Sequence, residues 1–294
     1  MSEHEGWLEH DGHRTWYRVV GDDEPGSDPL VCLHGGPGST HHYFAPLERL
    51  AEQGRRVVVY DQLGCGRSDR PTDVDWSVQV FLDELAALRR HLGLDRIHLL
   101  GTSWGGMLAL EHALSGFGGL TSLVLSSTLA SAEEWVTEVK LLRDELPDHV
   151  LSVLDRHERA GTTEDAEYER AIAVFDERHF YRGPNPRPEL ERMMPERGRE
   201  TYRAMWGPNE WTVTGALSGW DVRPRLHELD LPALVIRGRY DLSTESVSQT
   251  LVHGLPNARE VVFEQSSHTP VLEETERYLD VVGSFLREAE ASYL

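Results

Sequence analysis

The stretch Leu99-Leu-Gly-Thr-Ser-Trp-Gly-Gly-Met-Leu-Ala-Leu110 carries the fold of this chain. It sets Gly101-Thr-Ser103-Trp-Gly105, a G-x-S-x-G pattern, between a short apolar run and an apolar helical segment. Ile97 to Leu100 read as a buried strand, and Met107, Leu108, Leu110 and Ala113 as the inner face of a helix. A serine on the sharp turn between them is lifted clear of the sheet and stands at a helix N-terminus, where partial positive charge favours an anion. Glycine and serine also build ordinary strand-to-helix turns. The flanking strand and helix are what make Ser103 a candidate nucleophile.

Working outward, short apolar runs alternate with helical patterns. Leu30 to Leu33 empties into His34-Gly-Gly-Pro-Gly38, and Arg56 to Tyr60 into Asp61-Gln-Leu-Gly-Cys-Gly-Arg-Ser68. Trp76 to Leu92 repeats apolar residues at helical spacing, and Leu123 to Leu125 is another strand. Arg14 to Val20 alternates like a half-buried strand, with Trp7 to His10 as its partner. Such alternation predicts an α/β fold with a mostly parallel central sheet flanked by helices.

The pattern changes after Thr128. Glu133–Glu145, Pro147–Arg159 and Asp165–His179 read as charged helices, followed by the proline-punctuated run Gly183–Pro188. Strands resume at Ala233–Gly238 and Glu260–Phe263, and Thr275–Glu288 closes the chain as an amphipathic helix. The expected organisation is a core of residues 1–131 and 222–294 with an inserted helical cap at 132–221.

Composition narrows the function classes. Lys plus Arg number 29 against 50 Asp plus Glu, a net charge of −21, which argues against nucleic acid or an anionic membrane as partner. No apolar run approaches the ~20 residues of a membrane span, and the acidic N-terminus lacks the features of a signal peptide, so a cytoplasmic protein is expected. Cys32 in an apolar strand and Cys65 in a glycine loop do not suggest a disulfide framework, and no Cys/His spacing suggests a metal. No cofactor is expected, and a monomer is favoured.

Ligands of parallel α/β sheets gather at the carboxyl ends of the strands. Asp241 follows Ala233–Gly238, and His268 follows Glu260–Phe263 in a loop of small residues. The order serine, acid, histidine is that of the α/β-hydrolase arrangement. His268 would take the Ser103 proton and Asp241 would orient the imidazole; Asp230 and His253 fit the order less well. The backbone amides of Trp104 and Gly36 are the expected oxyanion donors, and losing one such donor costs about 3 kcal/mol in the barrier.

Together, His34-Gly-Gly-Pro-Gly38, Asp61-Gln-x-Gly-x-Gly-x-Ser68 and Gly101-x-Ser-x-Gly-Gly106 resemble the proline iminopeptidases of the α/β-hydrolase superfamily over nearly the whole chain. Gly207-Pro-Asn-Glu-Trp211, with Gly215 and Trp220-Asp221, is similar to the tricorn-interacting aminopeptidase factor of that group. The resemblance implies release of an N-terminal residue, proline or a small apolar one, from short peptides or aminoacyl amides. It also implies that Glu210 binds the substrate amine. The group commonly carries a second amine-binding glutamate directly after the triad aspartate; here that place is Leu242, which leaves Glu245 as the candidate second acid. Competing readings are an amino-acid amidase or carboxylesterase of the same fold, and a non-catalytic ligand-binding hydrolase fold.

Overall fold

The computed structural model describes residues 2–22, 24–184 and 187–292. Positions 185 and 186, in the proline-punctuated run, lie outside the described residues.

Strands β1 (Glu3–His10) and β2 (His13–Val20) form a hairpin whose turn residues, Asp11 and Gly12, both take positive φ (54° and 82°). A tight two-residue hairpin needs that conformation to match the strand twist, and Asp-Gly supplies it. Then come β3 (Leu30–Leu33), β4 (Val57–Tyr60), β5 (Ile97–Thr102), β6 (Leu120–Ser126), β7 (Ala233–Gly238) and β8 (Ala258–Phe263). The eight strands are ordered β1-β2-β4-β3-β5-β6-β7-β8, antiparallel up to β4 and parallel from there on.

The middles of the central strands are apolar because both faces are covered. Val31, Leu33, Leu99, Leu123 and Val235 pack on one side with α1 (Val78–His91), α2 (Trp104–Leu114) and α8 (Glu245–Gly254). Their neighbours Leu30, Cys32, Leu100, Val124 and Leu234 pack on the other with the 3-10 segment His41–Gln53, α9 (Pro270–Glu273) and α10 (Thr275–Ala291). The period-2 alternation of strand side chains thus builds two cores from one run of residues. Helix α2 is buried on nearly every side, not on the one face expected from sequence, because it lies deepest against the sheet. Both cysteines are free and buried.

β3 pairs with β4 on one side and β5 on the other. Connections leaving β3 and β5 therefore diverge, and a crevice opens above their carboxyl ends. Between β6 and β7 the chain inserts α3 (Ala132–Asp144), α4 (Asp148–Ala160), α5 (Ala166–His179), α6 (Pro188–Glu196) and α7 (Arg199–Met205). It leaves and returns at one place: Ser131 and Asp221 form an antiparallel bridge, and the Val222 amide donates to Ala130 O at 2.9 Å. Gly198 N donates to Gly38 O at 2.7 Å and Gly66 N to Glu196 O at 2.9 Å, tying the inserted helices to the loops after β3 and β4. No helix among the described residues is long and apolar enough to cross a membrane.

On the far side of the sheet, Glu290 of α10 accepts two bonds from Arg55 (2.8 and 3.0 Å), one from the Asp28 amide (2.8 Å), and lies 3.0 Å from His98 Nε2. Burial alone would raise its pKa, but the His98 and Arg55 hydrogen bonds outweigh burial and hold it at about 2. Removing one member of a largely buried pair strands the other charge, so Glu290→Ala is expected to destabilise the fold by about 3 kcal/mol in urea titrations. A carboxyl held below its ordinary 4.5 stabilises the folded state above that pH and loses the contribution as pH falls toward 2. The difference between wild type and variant should shrink accordingly in acid.

Candidate active site

Ser103 joins β5 to α2 with φ 54° and ψ −122°, a conformation L-residues rarely adopt. Holding a non-glycine residue there costs about 1–3 kcal/mol, which the surroundings must offset. The Ser103 amide donates to Ser126 O at 3.0 Å, and its carbonyl accepts from Thr128 Oγ1 at 2.6 Å and Gly106 N at 2.8 Å. A Cβ on Gly105 would collide with Leu33 O, so that glycine lets α2 approach β3 closely. Trp104 is the first residue of α2, where an amide has no partner within the helix. Gly36, with φ 111°, follows Gly35, whose own amide is occupied by Tyr43 Oη at 2.6 Å. Of these two neighbouring amides, Gly36 is therefore the one left to a ligand.

Asp241 and His268 lie in direct contact. Their Nδ1–Oδ1 separation is 2.7 Å, and Asp241 also accepts from the amides of Ser243 (2.9 Å) and Gly238 (3.2 Å). Burial pulls the His268 pKa down, but the Asp241 charge and hydrogen bond outweigh it, with help from Glu210 and Glu273, and the net shift is upward. Nδ1 is engaged by Asp241, which leaves Nε2 as the nitrogen available to Ser103. Trp135 of α3 and Phe180, just after α5, pack around the ring with centroids 5.9 and 5.6 Å away. The His268 amide donates to His179 O at 3.1 Å, so the end of α5 fixes this loop as well.

Ser103, His268, Gly36 and Glu210 line one cavity of about 560 Å³ beneath α5, α6 and α7. Bonds on its neighbours hold the Glu210 segment: Trp206 Nε1 to Asn209 O (3.0 Å), Asn209 Nδ2 to Tyr168 Oη (2.8 Å) and Trp211 Nε1 to Glu158 Oε1 (2.9 Å). Glu210 itself accepts from Tyr202 Oη at 2.8 Å. Its pKa is raised by burial, partly countered by that bond and by His268.

Glu245 is not part of the site. It opens α8, its side chain is 72 % exposed, and it lies 3.5 Å from Arg237. Thr244 caps that helix, so a first-turn acid faces solvent and complements the helix dipole instead of reaching the cavity. Leu242 is buried and does line the cavity. Asp230, which accepts from Asn257 Nδ2 at 2.6 Å, and His253, on α8, are not among the cavity residues.

The cavity also holds ionisable groups that the sequence does not single out, among them Asp176 on α5 and Arg197 just after α6. The Asp176 carboxyl opens into the protein-walled cavity, and its pKa is pushed up to about 7. Burial is the main cause, the Glu210 charge adds to it, and Arg197 and His268 oppose it. The signal was available: Ile172, Asp176 and Phe180 lie at i, i+4, i+8 and line the cavity together, so an acid interrupts an otherwise apolar stripe.

Comparison with known proteins now places the chain. The α/β hydrolase fold family matches residues 28–275. A proline iminopeptidase of Clostridium botulinum is 40 % identical over 287 residues, covering 97 % of this chain and 98 % of its own. The chain belongs to the proline iminopeptidase family of the α/β hydrolases. A Saccharolobus solfataricus proline iminopeptidase is 40 % identical over 273 residues, 92 % of this chain and 87 % of that one. Among solved structures, VinJ superposes with a TM-score of 0.93 at 39 % identity, covering 97 % and 99 % of the two chains. The Mycobacterium smegmatis proline iminopeptidase gives 0.88 at 38 %, covering 99 % and 100 %.

The electrostatics of His268 can be tested directly. Its Cε1–H resonance is expected to titrate above pH 6.5, and Asp241→Asn should move the midpoint down. A wild-type midpoint at or below 6.5 would mean that burial, not the Asp241 charge, governs the ring.

Proposed function

We propose that this chain is a serine exopeptidase that releases an N-terminal residue, proline or a small apolar one, from short peptides or aminoacyl amides. In this reading Ser103, His268 and Asp241 form its triad. The observation that carries the proposal is a single cavity lined by Ser103, by His268 with its Nδ1 on Asp241, and by Glu210, a carboxyl suited to a cationic amine.

His268 Nε2 removes the Ser103 hydroxyl proton as Oγ attacks the substrate carbonyl. Negative charge forms on the carbonyl oxygen, where the Gly36 and Trp104 amides donate to it. His268 then protonates the departing amine, leaving an acyl-enzyme, and a water activated by the same ring releases the free amino acid. Because the ring must be neutral to accept the proton, turnover falls as pH drops through the raised His268 value.

Glu210 and Asp176 form the amine end of the cavity, with Leu242 as an apolar wall for the side chain of the residue released. The segment 132–221 serves as a cap that limits how much peptide can enter. Leu242, standing where the family commonly has an acid, also favours a second reading: aminoacyl amides of small metabolites in place of peptides.

The test compares prolyl, alanyl and leucyl β-naphthylamides with p-nitrophenyl acetate. Turnover of the arylamides, abolished in Ser103→Ala, is expected; cleavage of the ester alone would remove the exopeptidase reading. A charge-assisted hydrogen bond contributes roughly 1.5–3 kcal/mol. Glu210→Gln should therefore raise KM for free-amine substrates by about ten- to a hundredfold and leave N-blocked substrates little changed.

Asp176 gives a separate signature. Its pKa is pushed up to about 7 before substrate enters, and pairing with an ammonium requires the ionised form. Binding should release protons, seen by calorimetry in buffers of different ionisation enthalpy, and KM should rise as pH falls below 7. Asp176→Asn is expected to diminish both effects, leaving only the part due to Glu210.

A further inference from the structure

Gln62 lies in the loop after β4, is fully buried, and is not among the cavity residues. Its side-chain amide nevertheless touches both segments that supply the proposed oxyanion donors. Nε2 donates to His34 O at 2.8 Å, at the start of the Gly35–Gly36 turn. Oε1 accepts from the Trp104 indole Nε1 at 2.8 Å. The orientation is forced, since an indole N–H can only donate and a carbonyl can only accept. The Gln62 backbone adds a third tie, its amide donating to His34 Nε2 at 2.9 Å. Burial pushes the His34 pKa down to about 4, so the ring is neutral and Nε2 is free to accept.

Gly36 and Trp104 stand on different strand ends, and neither hydrogen-bonds the other across the hole. An oxyanion hole works only if its donors are already placed when charge develops. We infer that the Gln62 side-chain amide is a positioning residue, a brace fixing the separation of the Gly36 and Trp104 amides by bonding to both segments at once. An apolar side chain of the same size would fill the space, but it would leave a buried indole N–H and a buried carbonyl unpaired, and both segments would shift to find partners. The inference rests on the acyl-enzyme reading above and on its oxyanion assignment. It does not depend on the amine specificity.

The experiment measures kcat and KM on prolyl β-naphthylamide and on p-nitrophenyl acetate, with affinity for a prolyl boronate that forms a tetrahedral adduct on Ser103. Gln62→Met is expected to lower kcat by about ten- to a hundredfold on both substrates, less than outright loss of a donor. KM should stay within about twofold, and boronate affinity should fall by the same factor as kcat. Trp104→Phe cuts the indole arm alone and keeps a ring against Phe81, 5.3 Å away by centroid. It should reproduce the effect, and the double variant should be no worse than about twofold beyond the larger single.

An unchanged kcat, multiplicative losses in the double variant, or a lowered melting point with unchanged boronate affinity would overturn the brace. Should Gln62→Met fail to fold, Trp104→Phe decides alone by the same kcat and boronate criteria. A wild type active on the ester but not on the arylamide refutes the exopeptidase reading while the brace is still read on the ester. One inert on both overturns the acyl-enzyme reading and the brace with it.

Discussion

The close packing of α2 against β3 is the constraint on which the site depends. Ser103 can be held at φ 54° only because α2 starts immediately after it and is buried almost all round. That proximity requires glycine at 105, where any side chain would meet the backbone of Leu33. Strain at one residue is thus offset by the burial of an entire helix, and the magnitudes allow it. The strain is about 1–3 kcal/mol, whereas fully burying a single Leu or Met side chain contributes about 1.5–3 kcal/mol. Met107, Leu108 and Leu110 are all buried.

Above that platform the cavity concentrates ionisable groups that would be unremarkable in water. Asp241 keeps its place by accepting two backbone amides as well as the imidazole. Glu210 and Asp176 are shifted upward by burial and, for Asp176, by the neighbouring negative charge, with Arg197 opposing both.

The inserted helices do more than cover the crevice. His179, at the end of α5, accepts from the His268 amide, and its Nδ1 lies 3.0 Å from Tyr240 O, beside Asp241. Thr269 Oγ1 donates to Phe180 O at 3.0 Å. One helix end therefore holds both the acid loop and the histidine loop, and Asp176 sits one turn earlier on that helix. The wall of the cavity and the geometry of the Asp241–His268 pair are mechanically joined.

Local signals fixed the elements. Apolar runs, glycine turns and the order Ser103, Asp241, His268 along the chain were enough to place the strands, the elbow and the three loops, because strand ends in a parallel sheet converge on one edge whatever lies between them. Inside segment 132–221 the sequence revealed helices but not which faces point inward, since a charged helix whose polar side lines a cavity reads like one facing water. Asp176 shows in the sequence only as an acid interrupting the Ile172–Phe180 stripe, Arg197 lies just past α6 on no helix face, and Glu245, near Asp241 in the chain, is turned to solvent by a helix start. Gln62 stands in the sequence only as one letter of the Asp61–Ser68 motif; its bonds to His34 O and the Trp104 indole exist only where three strand ends meet. The chain order of the reactive groups is written in the sequence; their shared environment is a property of distance in space, which only the packed tertiary structure sets.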